Sequence, residues 1–150
     1  MIRLTDEQWE RIRAHFPEEQ IPDGRAGRKP VPARQVLEAA LWILNTGAQW
    51  QMLPQCYPNY KTVHRRFQSW CHNEVLRGIL TDVANELRER GVLDEEDCRR
   101  LGRYARRWLV ERFFAWIQWR RRLLVRWEFY PQNFLGFVQL ACLLILFRQF

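Results

Sequence analysis

The sequence predicts an all-α protein in two parts, an N-terminal helix-turn-helix bundle followed by two long C-terminal helices. Three observations lead there. Apolar residues recur at helical spacing in most of the chain. Helix-ending and helix-starting residues (Thr5, Gly47, Asn59, Gly91, Pro131) fall at the edges of those periodic runs. No segment alternates polar and apolar residues between turns as a half-buried strand does. The sequence also shows no internal repeat.

The first helix opens on Thr5 and Gln8, which have capping-box spacing, and places Trp9, Ile12 and Phe16 on one face. Pro17 and Pro22 end it, and the loop "PDGRAGRKPVP" follows. A second helix is expected over Ala33–Thr46, with Val36, Leu37, Ala40, Leu41 and Leu44 inward and Gly47 just past its end. Pro54 and Pro58 bracket a turn. Asn59 then caps a helix starting near Tyr60, in which Val63, Phe67 and Trp70 form an apolar stripe at i, i+4 and i+7. A fourth helix is expected over about Glu74–Arg90, carrying Val75, Leu76, Ile79, Leu80, Val83 and Leu87, with Gly91 at its end. Residues 92–103, "VLDEEDCRRLGR", change character abruptly and read as a junction. A long helix is expected over about Tyr104–Trp127. Pro131 breaks the pattern, and an apolar helix runs to the C-terminus. The division is 1–91, a junction at 92–103, and 104–150.

Lys29 and Lys61 are the only lysines among 24 basic residues, so the formal net charge of +7 is carried by arginine. Arginine's planar fork suits bidentate contacts to phosphate and carboxylate. An arginine-rich basic chain points to a polyanionic partner, nucleic acid first; the alternative is a solvated basic face. Cys56, Cys71, Cys98 and Cys142 include no C-x-x-C pair and no zinc-finger histidine spacing. Reduced thiols in a cytoplasmic protein are therefore expected. The apolar run 134–147 is shorter than the roughly 20 residues of a membrane span, and Gly136 and Gln139 interrupt it. It reads as a buried helix, with no membrane partner.

The helices over 33–46 and from 60, expected to be joined by a tight turn, match a helix-turn-helix arrangement, whose second helix lies in the major groove. Lys61, Thr62, His64, Arg65 and Arg66 suit contacts to bases and phosphates. Arg25, Arg28 and Lys29, on the Gly/Pro-rich arm, suit phosphate or minor-groove contacts. Any helical bundle also needs a polar outer face, and that is the plainer alternative; the arm, the stripe and the net charge together favour DNA binding.

Farther on, Glu111 stands in the basic, aromatic stretch "RRWLVERFFAWIQWRRRLLVRW". On a helix it shares a stripe with Tyr104, Arg107 and Gln118, opposite Val110, Phe113 and Ile117. One reading is an i,i+4 pair with Arg107, worth a few tenths of a kcal/mol. The other is a metal-binding carboxylate beside phosphate-binding groups. Two-metal phosphoryl transfer needs several carboxylates, and one glutamate is not enough.

The spacing Tyr104-x2-Arg107-x3-Glu111 resembles the signature around the third acid of bacterial insertion-sequence DDE transposases. That stretch, followed by "NFLGFVQLACLLILFR", resembles the C-terminal end of the insertion-sequence-five group. "LTDEQWERIRAHFP" and "VLEAALWILNTGAQWQMLP…YPNYKTVHRRFQSW" resemble the group's N-terminal helix-turn-helix region.

The resemblance implies that Glu111 is a relict third acid of the catalytic triad, and an incomplete metal ligand at most. It implies DNA-phosphate roles for Tyr104 and Arg107, with Arg120, Arg121 and Arg122 close to the family's final basic position, which here is Gln118. In the family this helix packs on an RNase H-like sheet whose region carries both catalytic aspartates. This chain has no room for that sheet between Arg90 and Tyr104, and Asp94 and Asp97 in the junction are not placed like strand-borne acids. The resemblance thus implies an internally deleted transposase, inactive by itself. No cofactor is expected for it, although the intact family uses Mg2+. The implied partners are the double-stranded terminal repeats of the element and either a second copy or an intact transposase, in the bacterial cytoplasm at the nucleoid. Two alternatives stand beside this reading: an active subunit that completes its metal site in trans, and a self-associating interaction or regulatory protein.

Overall fold

The computed structural model describes residues 3–21, 30–91, 111, 113–125 and 128–150, and no strand occurs among them. The basic-arm residues Arg25, Arg28 and Lys29, the junction 92–103, Tyr104 and Arg107 lie outside the described residues.

Helix α1 spans Asp6–Ile12. Its capping box forms as expected: the Thr5 hydroxyl accepts from the Gln8 amide at 3.2 Å, and the Gln8 side chain accepts from the Thr5 amide at 3.1 Å. The helix is shorter than its apolar pattern, because the chain tightens into a 3-10 turn at Arg13–His15 and another at Pro17–Gln20. Phe16, between the two turns, still reaches the core and is fully buried.

Helix α2 spans Ala33–Thr46, and Ala39 and Ile43 are buried along with the five expected inward residues. Gly47 ends it in the left-handed region at φ 69° and donates its N–H to the Ile43 carbonyl. A side chain at Gly47 would also meet Arg121, whose Cβ lies 2.9 Å from the position of an added Cβ. The connection over 47–59 carries a 3-10 turn at Trp50–Met52. It is far longer than the roughly 3–4-residue turn of a simple helix-turn-helix, so the expected tight turn is not present.

Helix α3 spans Tyr60–His72, with the Asn59 side chain accepting from the Lys61 amide at 2.9 Å. Helix α4 spans Val75–Glu89. Glu74, expected inside α4, sits before it at φ 54°. A non-glycine residue seldom takes this left-handed conformation, and here it lets the chain reverse between α3 and α4.

The long helix expected over Tyr104–Trp127 is corrected in its described part. Backbone at 111 and 113–117 is helical, a turn follows at 118–119, and Arg120 is extended (φ −94°, ψ 91°) before the short helix α5, Arg121–Leu124. Tertiary bonds supply the reason. The Arg120 guanidinium bonds the Asn45 side chain, while Arg122 is drawn inward to the Ala48 carbonyl at 2.9 Å and to Glu128. A straight helix would point these two arginines 200° apart.

Helix α6 spans Pro131–Leu146, with Pro131 in its first turn, where a missing N–H costs nothing. Together with the 3-10 turn at Phe147–Gln149 it is long and apolar enough, by length and composition, to cross a membrane. Here it packs on α3 and α4, burying Phe137, Leu140, Ala141, Leu143 and Phe147 in the same cluster as Trp9, Phe16, Leu44, Phe67, Trp70 and Leu87. The two parts of the chain therefore share one core. Gly136 makes the close approach possible: a Cβ there would collide with the Cys71 sulfur and meet Phe67 at 3.1 Å.

Candidate nucleic-acid interface

Helix α3 buries one stripe and exposes another. Val63, Phe67 and Trp70 are buried against the core. On the solvent side Lys61 and Arg65 are exposed, followed by Ser69 and His72. These four stand at steps of four, four and three residues, which keep to one helix face. Ser69 and His72 were not singled out in the sequence. The signal was there in the spacing, since both continue the Lys61–Arg65 stripe.

The other expected base-reading residues lie on the flanks of α3. Thr62 is half-buried. Arg66 turns inward: its Nε donates to Glu18 at 2.9 Å, another of its nitrogens donates to the Val31 carbonyl, and its guanidinium lies 5.5 Å from the Trp70 ring. It ties α3 to the segments before α2. His64 lies with its ring 4.8 Å from that of Trp50. Burial lowers its pKa from the usual 6.5, while Glu128 pulls it up and Arg122 pushes it down.

The three arginines at 120–122 part company. Arg121 is exposed. Arg120 is half-buried, and burial, with Arg148 nearby, lowers its pKa. Arg122 is 3% exposed and ion-paired with Glu128, itself 7% exposed. Buried arginine paired with carboxylate does not face a phosphate, so the expected phosphate contact at Arg122 is replaced by an internal one. Glu128 also accepts from the Trp50 indole N–H at 3.1 Å and from Asn133 at 3.3 Å. Trp50 and Glu128 were missed by sequence reasoning, since their link crosses 78 residues.

Glu111 is exposed on helical backbone. Its expected neighbours Tyr104 and Arg107, and the junction acids Asp94 and Asp97, lie outside the described residues. Among the described residues no group of three or more His, Cys, Asp or Glu side chains could hold a metal ion. Those residues do not supply the shared carboxylates that a pair of Mg2+ ions needs. Cys56, Cys71 and Cys142 are free thiols, and burial pushes Cys71 up to about 12.

A family model described as "Putative transposase of IS4/5 family (DUF4096)" matches residues 4–80. The chain belongs to this transposase family. The matched residues take in α1, α2 and α3 with the exposed Lys61–His72 stripe. An "Uncharacterized protein y4sN" of Sinorhizobium fredii (strain NBRC 101917 / NGR234) is 35% identical over 85 residues, covering 55% of this chain and 64% of that protein. The chain thus aligns with less than two thirds of the length of that relative. No solved structure matches the transposase-family chain. The family match ends before Glu111.

Proposed function

We propose that this chain is the DNA-binding end of an insertion-sequence transposase, recognising double-stranded terminal repeats and lacking catalytic activity by itself. The observation that carries the reading is the exposed stripe Lys61, Arg65, Ser69 and His72 on α3, opposite a fully buried stripe. Such a helix presents cations and hydrogen-bonding groups to a groove while its back stays fixed in the core. Arg121, Arg28 and Lys29 join as phosphate contacts, whereas Arg66, Arg120 and Arg122 are committed to internal bonds. Glu111 is the relict of a third catalytic acid whose two aspartate partners were lost with the middle of the protein. The chain then occupies element ends in the bacterial cytoplasm, needs no metal, and competes with an intact transposase.

Fluorescence anisotropy with duplex DNA across a salt series tests the binding. Binding is expected to weaken steeply with salt, and replacing both Lys61 and Arg65 by Ala is expected to lower the log–log salt slope by about two. No binding at low salt would remove the reading. A Mg2+- or Mn2+-dependent cleavage of donor DNA lost on Glu111→Gln would establish the catalytic alternative, with the remaining acids supplied in trans.

A second reading, self-association, is favoured by the distribution of exposed apolar residues. Among the described residues, eight of the eleven large exposed hydrophobics fall between Phe114 and Leu135, led by Phe129 at 87% and Trp119 at 78%. Soluble monomers seldom expose so many large apolar groups in one stretch of chain. Light scattering at micromolar concentration is expected to give a dimer or larger species that Trp119→Ser with Phe129→Ser dissociates; a monomeric parent protein refutes it.

A further inference from the structure

We propose that the C-terminal segment sets the orientation of the DNA-reading helix α3, with Glu128 as the positioning residue. The inference rests on the DNA-binding reading above for its functional consequence.

The back of α3 is held through aromatic rings. Trp50 lies 4.8 Å from the His64 ring and 5.6 Å from that of Phe67, and Phe137 of α6 lies 4.5 Å from Phe67. Phe67 sits on the side of α3 opposite Arg65, and His64 on a flank next to the exposed stripe. Ring packing alone tolerates sliding and rotation, because dispersion has little directionality. Direction enters through Glu128. Its carboxylate accepts from Trp50 in the 47–59 connection, from Arg122 in α5 and from Asn133 in α6. An indole has a single N–H donor, so the bond to Glu128 selects one orientation of the Trp50 ring, and that ring is what His64 and Phe67 pack on.

Stability alone does not account for the cluster. A buried ion pair is often matched or exceeded by apolar residues of similar volume. Here the guanidinium is also incompletely satisfied, since the Arg122 Nε is buried without a hydrogen-bond partner. What the pair provides and an apolar pair would not is a fixed direction for Trp50 and a fixed register between α6 and α3. Because Glu128 and Arg122 act on His64 in opposite senses, the titration of that ring also reports their presence.

The test compares the full chain with Glu128→Gln and with the paired replacement Arg122→Met/Glu128→Leu. Measured are the melting temperature, duplex affinity at fixed salt, His64 ring titration and backbone amide shifts of 60–72. Glu128→Gln is expected to lower the melting temperature, lower the His64 midpoint and weaken DNA binding at least tenfold. The apolar pair is expected to recover the melting temperature while binding stays at least tenfold weaker and the α3 amides shift along the helix. A recovered variant that binds within twofold of the parent, with α3 amides unchanged, overturns the proposal. If Glu128→Gln does not fold, the apolar pair decides. If the parent protein binds no DNA, the DNA reading fails separately, and the α3 amide shifts alone decide whether Glu128 positions the helix.

Discussion

Helices α3 and α6 lie against each other but expose opposite kinds of surface. Helix α3 buries three apolar side chains and turns Lys61, Arg65, Ser69 and His72 to solvent. Helix α6 is apolar on nearly every side, and even its exposed positions include Leu135. A helix with one polar face needs one partner surface, whereas a helix apolar all round needs several. Helix α6 finds α3 and α4. The chain just before it, at 114–125 and 129–130, leaves large apolar side chains in solvent. The difference separates a finished surface suited to a polar ligand from a region that still presents apolar area.

The largest test of this contrast is Phe67→Ala. Phe67 is fully buried and touches both Trp50 and Phe137, so it belongs to the N-terminal and C-terminal regions at once. A loss of about 3–5 kcal/mol is expected, seen as one shifted cooperative transition in thermal melts by far-UV and near-UV dichroism. Two separated transitions would mean that the regions fold apart and would break the shared-core account.

Gly136→Ala sharpens the same contact. The added methyl meets the Cys71 sulfur, so a net loss of about 1–3 kcal/mol is expected from overpacking, despite the better helix propensity of alanine. Cys71→Ala in the same chain is expected to recover most of that loss in chemical denaturation. If the double variant is no more stable than Gly136→Ala, the seat of α6 on α3 is drawn wrongly.

The smallest expected effect concerns pH. The folded pKa of His64 lies below its unfolded value of about 6.5, chiefly through burial. Between those two values the unfolded chain binds a proton that the folded chain refuses, so stability rises with pH across that window. His64 thus contributes stability above about pH 6.5 that is lost as pH falls toward its folded pKa. On acidification through that window the parent should lose stability that His64→Phe keeps, so the gap between their denaturation midpoints should change with pH; a parallel pH dependence would place His64 outside the buried cluster.

Much of the N-terminal fold was legible. Thr5 with Gln8, Asn59 and Gly47 act within a few residues of themselves, and each forms the cap its chemistry predicts. The α3 stripes were legible too, because a 3.6-residue period needs no knowledge of partners. Three expectations failed or were incomplete for one common reason. Helix 104–127 does not run unbroken through its described part, because Arg120 and Arg122 bond groups more than 70 residues away. Arg66 and Arg122 looked like phosphate ligands, since arginine in a sequence carries no mark of whether a carboxylate will reach it. The 47–59 connection proved long because Trp50 must turn into the core to meet His64, Phe67 and Glu128.

The amino-acid sequence by itself determined the all-α class, the limits of α2 and α3, their caps and the polar stripe of the candidate DNA-reading helix. Those properties follow from backbone geometry and neighbours within about one helical turn. Only the tertiary structure decided which arginines stay available for a polyanion, where the C-terminal helix docks, and that Glu128 is shared by Trp50, Arg122 and Asn133. Charge pairing and close packing depend on which surfaces meet, and here the meeting surfaces come from opposite ends of the chain.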